Sequence, residues 1–137
     1  MPRVITFSDS FTSASAPVVE GAIQENYVIN NNQALTNITG LVFNNTEAKS
    51  VFFDFELERI GTTTYRQAGS FIAVYNGTWS LTFGNFQGSE IIESPLVNDY
   101  GLDLSIDAST GQLKYSSGNQ AGHTSSKLKL YIVKVIV

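Results

Sequence analysis

Residues 71–83, Phe-Ile-Ala-Val-Tyr-Asn-Gly-Thr-Trp-Ser-Leu-Thr-Phe, contain the turn around which the rest of the chain is arranged. Asn76 and Gly77 adopt positive φ angles at low cost, and a two-residue type I′ hairpin loop requires such angles at both of its central positions. Apolar and aromatic residues flank the turn on both sides. The stretch therefore predicts a β-hairpin closed by a type I′ turn.

Alternation of apolar and polar residues predicts further strands on both sides of this hairpin, because successive side chains of a strand point to opposite faces. The clearest alternation runs through residues 51–60. Strands at intervals of about ten residues, separated by Gly-, Asn- and Ser-rich turns, favour an all-β fold. We predict an antiparallel β-sandwich, jelly-roll-like, with other strands at residues 24–30, 38–43, 65–75, 100–106, 112–117 and 127–137.

The first 25 residues differ in composition from the rest. A short strand is predicted at residues 3–7, and residues 8–21 are small and polar, with too little apolar surface to build a core. We predict that residues 1–25 form an N-terminal strand and extended arm, and that residues 26–137 form the β-sandwich domain. The arm is either a loose terminus or a segment laid on a neighbouring subunit. Residues 84–99 are predicted to form a long exposed loop, with a short strand at residues 91–92 as one possibility.

The last segment, residues 127–137, is apolar on both faces near its end. Alternation predicts that Tyr131, Val133 and Val135 share one face. An exposed edge strand of this kind invites aggregation, so the segment is expected to be central in a sheet or covered by another subunit. The candidates for a subunit interface are the following aromatic and apolar residues: Tyr75, Trp79, Tyr131, Val133, Val135, Phe11, Val18 and Val19.

Composition argues against several classes of function. The 137 residues are 42% apolar, enough for one buried core, and contain no cysteine for a disulfide or a thiolate metal site. A net charge of −4 argues against binding nucleic acid, which requires clustered cations. No segment resembles a signal peptide or a membrane-spanning helix. We expect a soluble protein made in the cytoplasm, with neither nucleic acid nor membrane as partner.

All twelve acidic residues lie in residues 1–107, whereas residues 108–137 carry four lysines and no acid, so the last strands are expected to lie beside acidic ones. Glu56 and Glu58, which follow Asp54 at a spacing of two, are interpreted as a solvated face or as a cross-strand ladder to Lys127 and Lys129. A cation site is the less favoured alternative, because ligands in a straight row do not converge on one ion.

Catalytic motifs are absent from the sequence: it has no Gly-x-Ser-x-Gly elbow, no phosphate-binding loop and no His-Glu-x-x-His pattern. His123, the sole histidine, is predicted to be exposed in a loop. Trp79 is interpreted as a core or interface residue in preference to a sugar-stacking one. The first candidates for a glycosidase carboxylate pair are Asp99, Asp103 and Asp107, although turn and surface roles are favoured for them. We expect no enzyme, no cofactor and no metal site.

Four short motifs add a resemblance: Tyr-Arg-Gln-Ala-Gly at residues 65–69, Ile-x-Val-Tyr-Asn-Gly-Thr-Trp at 72–79, Gly-Leu-x-Leu at 101–104 and Gly-Gln-Leu-Lys-Tyr-Ser-Ser at 111–117. Together they resemble a small β module of tailed-bacteriophage structural proteins, where it forms the C-terminal part of head-fibre, tail-fibre or capsid-decoration proteins. The similarity covers roughly residues 26–137. It implies a jelly-roll-like virion component that is usually a trimer.

This chain departs from the module's usual setting in having no long N-terminal shaft, which favours a compact decoration protein over a long fibre. The expected function is that of a capsid decoration or cement protein, a homotrimer that binds the major capsid protein on the virion surface. One alternative is a receptor-binding head-fibre or tail-fibre tip that uses the 84–99 loop to bind a host-surface glycan or receptor. A polysaccharide-degrading enzyme using Asp99 and Asp103 is the third hypothesis.

Overall fold

The computed structural model describes residues 23–137, which form eight β-strands arranged in two antiparallel sheets. The larger sheet has the order β1-β8-β3-β4-β5 and the smaller the order β2-β7-β6. The all-β antiparallel sandwich predicted from the sequence is confirmed. The strands are β1 (Ile23–Val28), β2 (Thr36–Val42), β3 (Ser50–Ile60), β4 (Tyr65–Tyr75), β5 (Trp79–Gly88), β6 (Leu102–Ile106), β7 (Gln112–Ser117) and β8 (Ser125–Ile136).

The two ends of the described chain pair with each other in a nested order. The first strand lies beside the last and the second beside the seventh, each pair in a different sheet. This nesting is what makes the sandwich jelly-roll-like. The smaller sheet covers one face of the larger, and apolar side chains from both inner faces fill the space between them.

Aromatic side chains dominate the core. Phe53 on β3 stacks on Phe71 of the neighbouring β4, with ring centroids 4.6 Å apart, and Phe43 packs on Phe53 at 5.5 Å. Trp79 packs on Phe43 at 5.9 Å and is buried, so its predicted placement in the core is confirmed. Gly111 closes over Trp79, since a Cβ at this position would collide with the Phe43 carbonyl oxygen and the indole ring.

The predicted hairpin is confirmed, but its predicted turn type is wrong. Tyr75 pairs with Trp79, so the loop has three residues, and of these Gly77 alone has a positive φ, at 81°. Within the loop the Asn76 N–H donates to the Thr78 carbonyl oxygen at 3.0 Å. A three-residue loop needs only one left-handed residue, and glycine supplies it without a Cβ clash.

The prediction of a long loop over residues 84–99 is wrong for its first part, because β5 continues to Gly88. β5 persists because it hydrogen-bonds along β4 through a bulge, and main-chain pairing outweighs the weak strand propensity of its Gly and Asn residues. Beyond it, Ile92 forms a single parallel bridge with Leu102, and both Ile91 and Ile92 are buried.

Strand β8 lies between β1 and β3, so its predicted central position is confirmed. The prediction that Val135 shares a face with Tyr131 and Val133 is wrong. Phe52 pairs with Lys134 while Phe53 pairs with Ile132, so Val133 is an extra residue in a bulge. A bulge reverses the alternation beyond it and turns Val135 into the core.

Strand β1 begins at Ile23, before the predicted domain boundary at residue 26. The predicted strand at residues 3–7 and the interface candidates Phe11, Val18 and Val19 lie outside the described residues. The division into an arm and a domain stays a prediction.

One buried charge holds an end of the sandwich together, and no pattern in the sequence indicates it. Arg59, near the end of β3, is fully buried and donates to three backbone carbonyl oxygens, those of Tyr100, Gly101 and Gly118, at 2.8–3.3 Å. It also donates to Asn31 Oδ1 at 2.7 Å and to Ser126 Oγ at 3.0 Å. Within residues 23–137 no carboxylate forms an ion pair with it. Arg59 therefore ties three connecting segments to the sheet through its five hydrogen bonds.

Candidate interaction surfaces

The outer face of the larger sheet has a charged half. Glu56 and Glu58 on β3 lie opposite Lys129 and Lys127 on β8, which confirms the predicted cross-strand ladder. The Lys129 Nζ lies 3.7 Å from Glu56 Oε2, and Arg66 on β4 donates to Glu58 Oε2 at 2.8 Å. The carboxylates of this row are thus engaged with neighbouring cations. Exposed pairs of this kind add at most about 1 kcal/mol each.

The other half of the same face is apolar. Phe52 lies opposite Ile72, and Val74 is separated from Ile136 only by Ser50 of the intervening strand. These side chains are half-buried, and the Lys134 Nζ lies over one of them, 5.1 Å from the centroid of the Phe52 ring. Val133 projects beside them with 36% of its surface exposed. We call Phe52, Ile72, Val74, Val133 and Ile136 the apolar half; contiguous exposed apolar surface of this kind is typical of an interaction site.

The predicted interface residues are distributed between surface and core. Tyr131 and Val133 lie on the outer face of the larger sheet, at the border between its two halves. Tyr75 is half-buried beside the hairpin turn, with Lys49 Nζ 5.1 Å from its ring centroid. Trp79 and Val135 are buried inside the protomer. A role for any of them in a subunit interface stays a prediction.

A second apolar surface lies at the free edge of the larger sheet. Phe83 and Phe86 on β5 project from the core-facing side of the strand, with their rings 5.9 Å from Phe71 and 5.7 Å from Phe55. Nevertheless 36% of Phe83 and 38% of Phe86 is exposed, because the smaller sheet does not extend over this edge. The core of the sandwich is therefore open to solvent along β5.

A cavity of about 450 Å³ lies at the end of the sandwich that Arg59 holds. Tyr65 and Tyr100 line it and stack in parallel, with ring centroids 3.8 Å apart. Polar groups from three loops complete the lining: Thr62, Thr63, Asn98, Asp99 and Gln120. An aromatic wall with polar neighbours is a common arrangement in small-molecule sites.

Hydrogen bonds fix the loops around this cavity. Glu93 accepts from the backbone N–H groups of Val97 and Asn98, at 2.8 and 2.6 Å. Gln120 is buried and donates from Nε2 to the carbonyl oxygens of Thr63 and Arg59, at 2.9 and 3.2 Å. The cavity is therefore held open by the folded protomer, so a ligand would bind without first ordering its walls.

The three candidate catalytic aspartates have different surroundings. Asp99 lines the cavity described above, whereas Asp103 lies on β6 and accepts from the Ser94 hydroxyl at 3.4 Å. Burial raises the pKa of Asp103 above its usual range. Asp107 accepts hydrogen bonds from the backbone N–H groups of Thr110 and Ser109, each at 2.9 Å, and these bonds lower its pKa. Asp107 has the turn role predicted for it.

His123 is half-buried, in contrast to the prediction that it is exposed, because it packs beside the Arg59 network. Its Nε2 lies 2.7 Å from Ser126 Oγ, the same oxygen that accepts a hydrogen bond from Arg59. The Ser126 hydroxyl is therefore free to donate to an unprotonated Nε2. Burial, and secondarily the Arg59 charge, lower the pKa of His123.

This lowered pKa predicts an acid-sensitive contribution to stability. The folded protein favours neutral His123, so its contribution is present above the unfolded pKa of 6.5 and is lost as pH falls through that value towards the folded pKa. We expect the difference in unfolding free energy between the natural chain and His123→Gln to shrink between about pH 7.5 and about pH 5.5. Urea denaturation of both proteins at each pH measures this difference. The other titratable groups are present in both proteins, so their effects on the two unfolding free energies cancel. A constant difference would contradict the prediction.

Within residues 23–137 no group of three or more His, Asp or Glu side chains is arranged to hold a metal ion. In the same part of the chain no helix is long and apolar enough to cross a membrane.

Neither a protein-family model nor a curated protein matches this chain. Among solved structures, the tailspike protein of Acinetobacter phage vB_ApiP_P1 has a weakly similar backbone, with a TM-score of 0.46 and 9% sequence identity. The similar region covers 92% of this chain and 23% of the tailspike chain. The chain thus spans less than a quarter of the length of that protein.

Proposed function

We propose that this protein is a structural component of a bacteriophage virion, a decoration or cement protein that binds the outer capsid surface as an oligomer, a homotrimer, and stabilises the shell. The observation that carries the proposal is the apolar half of the outer sheet face. It presents five apolar side chains on rigid, fully paired strands, β3, β4 and β8, and such a surface is suited to a permanent protein contact.

Two further features support this role. The four sequence motifs that resemble the phage β module fall on or beside β4, β5, β6 and β7, so they are part of the sandwich itself. The Arg59 network and the packed aromatic core make the domain a stiff block. A block of this kind adds stability to a shell by mass action, because it binds assembled subunits repeatedly over a large surface. The role is non-enzymatic, and the partner is the major capsid protein.

The test is a matched pair of substitutions on one sheet face. Val133→Glu places a carboxylate in the apolar half, and we expect it to weaken binding to capsids assembled without this protein by at least about 100-fold, because a charge would be desolvated at the contact. Val28→Glu introduces the same change at an 80% exposed valine opposite Lys127, in the charged half, and should leave binding nearly unchanged. Co-sedimentation with capsids measures both affinities.

Light scattering of the purified natural protein accompanies this measurement and should give the mass of a trimer. The proposal is overturned if the natural protein does not bind capsids, or if Val133→Glu binds as tightly as Val28→Glu. Circular dichroism of both variants controls for folding, and a folded Val133→Glu is expected since its side chain already contacts solvent.

A second candidate function, a receptor-binding fibre tip, is favoured by the cavity between Tyr65, Tyr100 and Asp99. Its polar and aromatic lining suits a host-surface glycan. Asp99→Ala and Tyr65→Ala would then abolish adsorption to host cells while leaving capsid binding intact. Adsorption that depends on Val133 and not on Asp99 or Tyr65 would exclude this alternative.

A further inference from the structure

Strand β5 lacks most of the features that protect the free edge of a sheet. Its ten residues include no charged side chain and no proline, which are the usual means of preventing further strand pairing. A bulge at residues 84–85 bends its second half, so the regular part is residues 79–83. The partly exposed side chains of Phe83 and Phe86 extend the apolar core to this edge.

The backbone of β5 also has groups that point away from the sheet. In a strand of an antiparallel pair, the N–H and C=O groups of one residue point towards the partner strand, and those of the next residue point away from it. The Trp79 N–H points away from β4, since it donates to Ala108. The backbone groups of Leu81 and Phe83 therefore point away as well, to the open edge, where an additional strand could pair with them.

We propose that residues 3–7 of a neighbouring copy of this chain add to β5 as a sixth strand. Their sequence, Arg-Val-Ile-Thr-Phe, is rich in residues that favour strands. Alternation places Ile5 and Phe7 on one face of that strand, so both cover Phe83 and Phe86 while Thr6 faces outward beside Thr82. The added strand closes the core along its open side.

The length of the arm allows this contact. Residues 8–22 span up to about 50 Å when extended. The arm joins the sandwich at β1, which lies at the opposite edge of the larger sheet from β5, about 19 Å away across four strand spacings. The direct route from β1 to β5 of the same protomer crosses the outer sheet face, because the smaller sheet covers the inner face, and it passes over the apolar half proposed above as the capsid contact.

If a neighbouring copy supplies the strand, the arm does not cover the apolar half of its own protomer. In this respect the inference rests on the proposed oligomer. An arm that leaves one edge of a protomer and pairs with the opposite edge of the next is a head-to-tail contact. When the rotation between neighbours closes, as in the proposed trimer, such contacts form a ring in which every protomer donates one strand and receives one. In a closed trimer no β5 edge remains open, which explains how an unprotected edge can be tolerated.

Amide hydrogen exchange on the oligomer of the 137-residue chain tests strand addition at β5. In the natural protein the amides of Leu81 and Phe83 should exchange slowly. With Thr6 beside Thr82 in an antiparallel pair, the N–H of Ile5 points towards β5 and that of Thr6 points away, so Ile5→Pro should make both amides exchange about tenfold faster or more, because proline cannot donate to the ladder. Thr12→Pro is the control, a proline placed in the arm outside the strand, and should change neither rate. Rapid exchange of both amides in the natural oligomer, or slow exchange in Ile5→Pro, overturns the proposal.

Engineered cysteines identify which copy supplies the strand, and the natural chain has none to interfere. Chains carrying Thr6→Cys are assembled with chains carrying either Ser80→Cys or Thr82→Cys, the two exposed outer-face positions of β5. A disulfide-linked species of twice the chain mass is expected. A chain that carries both Thr6→Cys and Thr82→Cys is the control. Disulfide formation only within single chains of this control, with no linked species in either mixture, would overturn the proposal. Capsid binding by the Val133 variant is a separate measurement, so failure of the proposed function is distinguishable from failure here.

Discussion

Replacement of Arg59 by methionine is expected to lower the free energy of unfolding by about 2–4 kcal/mol, because five hydrogen bonds to a charged donor are lost in a buried site. Methionine fills much of the volume, so the loss measures the polar network more than a cavity. Urea denaturation with a constant m value gives the change. Arg59→Lys should recover only part of it, since an ammonium group cannot reproduce the planar fork of donors.

Arg66→Met is the matched control for this substitution. Arg66 forms its hydrogen bond with Glu58 on the surface of the same sheet, and its side chain is 71% exposed. We expect it to contribute at most about 1 kcal/mol. If the two methionine variants lose similar stability, the Arg59 network does not hold the end of the sandwich, and the loops around the cavity must be fixed by Glu93 and Gln120.

Phe71→Ala should destabilise the protein by about 3–5 kcal/mol, the range observed when a buried phenylalanine is truncated in a core. Phe71 is fully buried and contacts the rings of Phe53, Phe55 and Phe83. Its position between β3 and β5 leaves little freedom for the neighbouring rings to fill the cavity. Denaturant unfolding measures the change.

Phe83→Ala deletes the same side chain from the residue directly opposite Phe71 on β5. Because Phe83 is partly exposed, the cost in a separated protomer should be only about 1–2 kcal/mol. A larger cost in the assembled oligomer than in the separated protomer is expected if a strand from another copy covers Phe83. Equal costs for Phe71→Ala and Phe83→Ala in separated protomers would show that the edge of the sheet is already closed within one chain.

Most of the strands could be predicted from the sequence because alternation and turn residues act over short distances. The β3 pattern and the glycine-containing hairpin turn are local signals, and both occur where they were expected. The ladder between Glu56, Glu58 and the two lysines was one of two interpretations, since equal spacing on two strands permits it but only the pairing of β3 with β8 forms it. The β8 bulge was not predictable, because it arises from pairing with β3 and leaves no turn residue in the sequence.

The interaction surfaces depended on information that no local pattern carries. The carboxylates at positions 54, 56 and 58 indicate that Phe52 faces outward and Phe53 inward, and the structure confirms this. The sequence does not say that Ile72 and Ile136 of other strands lie on the same face as Phe52. Exposure of Phe83 follows from the smaller sheet having three strands against five. Asp99 was singled out by its residue type, but the cavity that it lines is formed by loops far apart in sequence.

The sequence by itself determined an all-β sandwich, its hairpin and the charged half of its outer face, because these follow from side-chain alternation, turn chemistry and spacing. The tertiary structure alone decided that Arg59 is a buried charge without a carboxylate partner among residues 23–137, that Val135 turns inward while Val133 stays outside, and that β5 is an open edge. Each of these depends on which strands become neighbours. Strand order is set by packing of the whole chain, and no short segment encodes it.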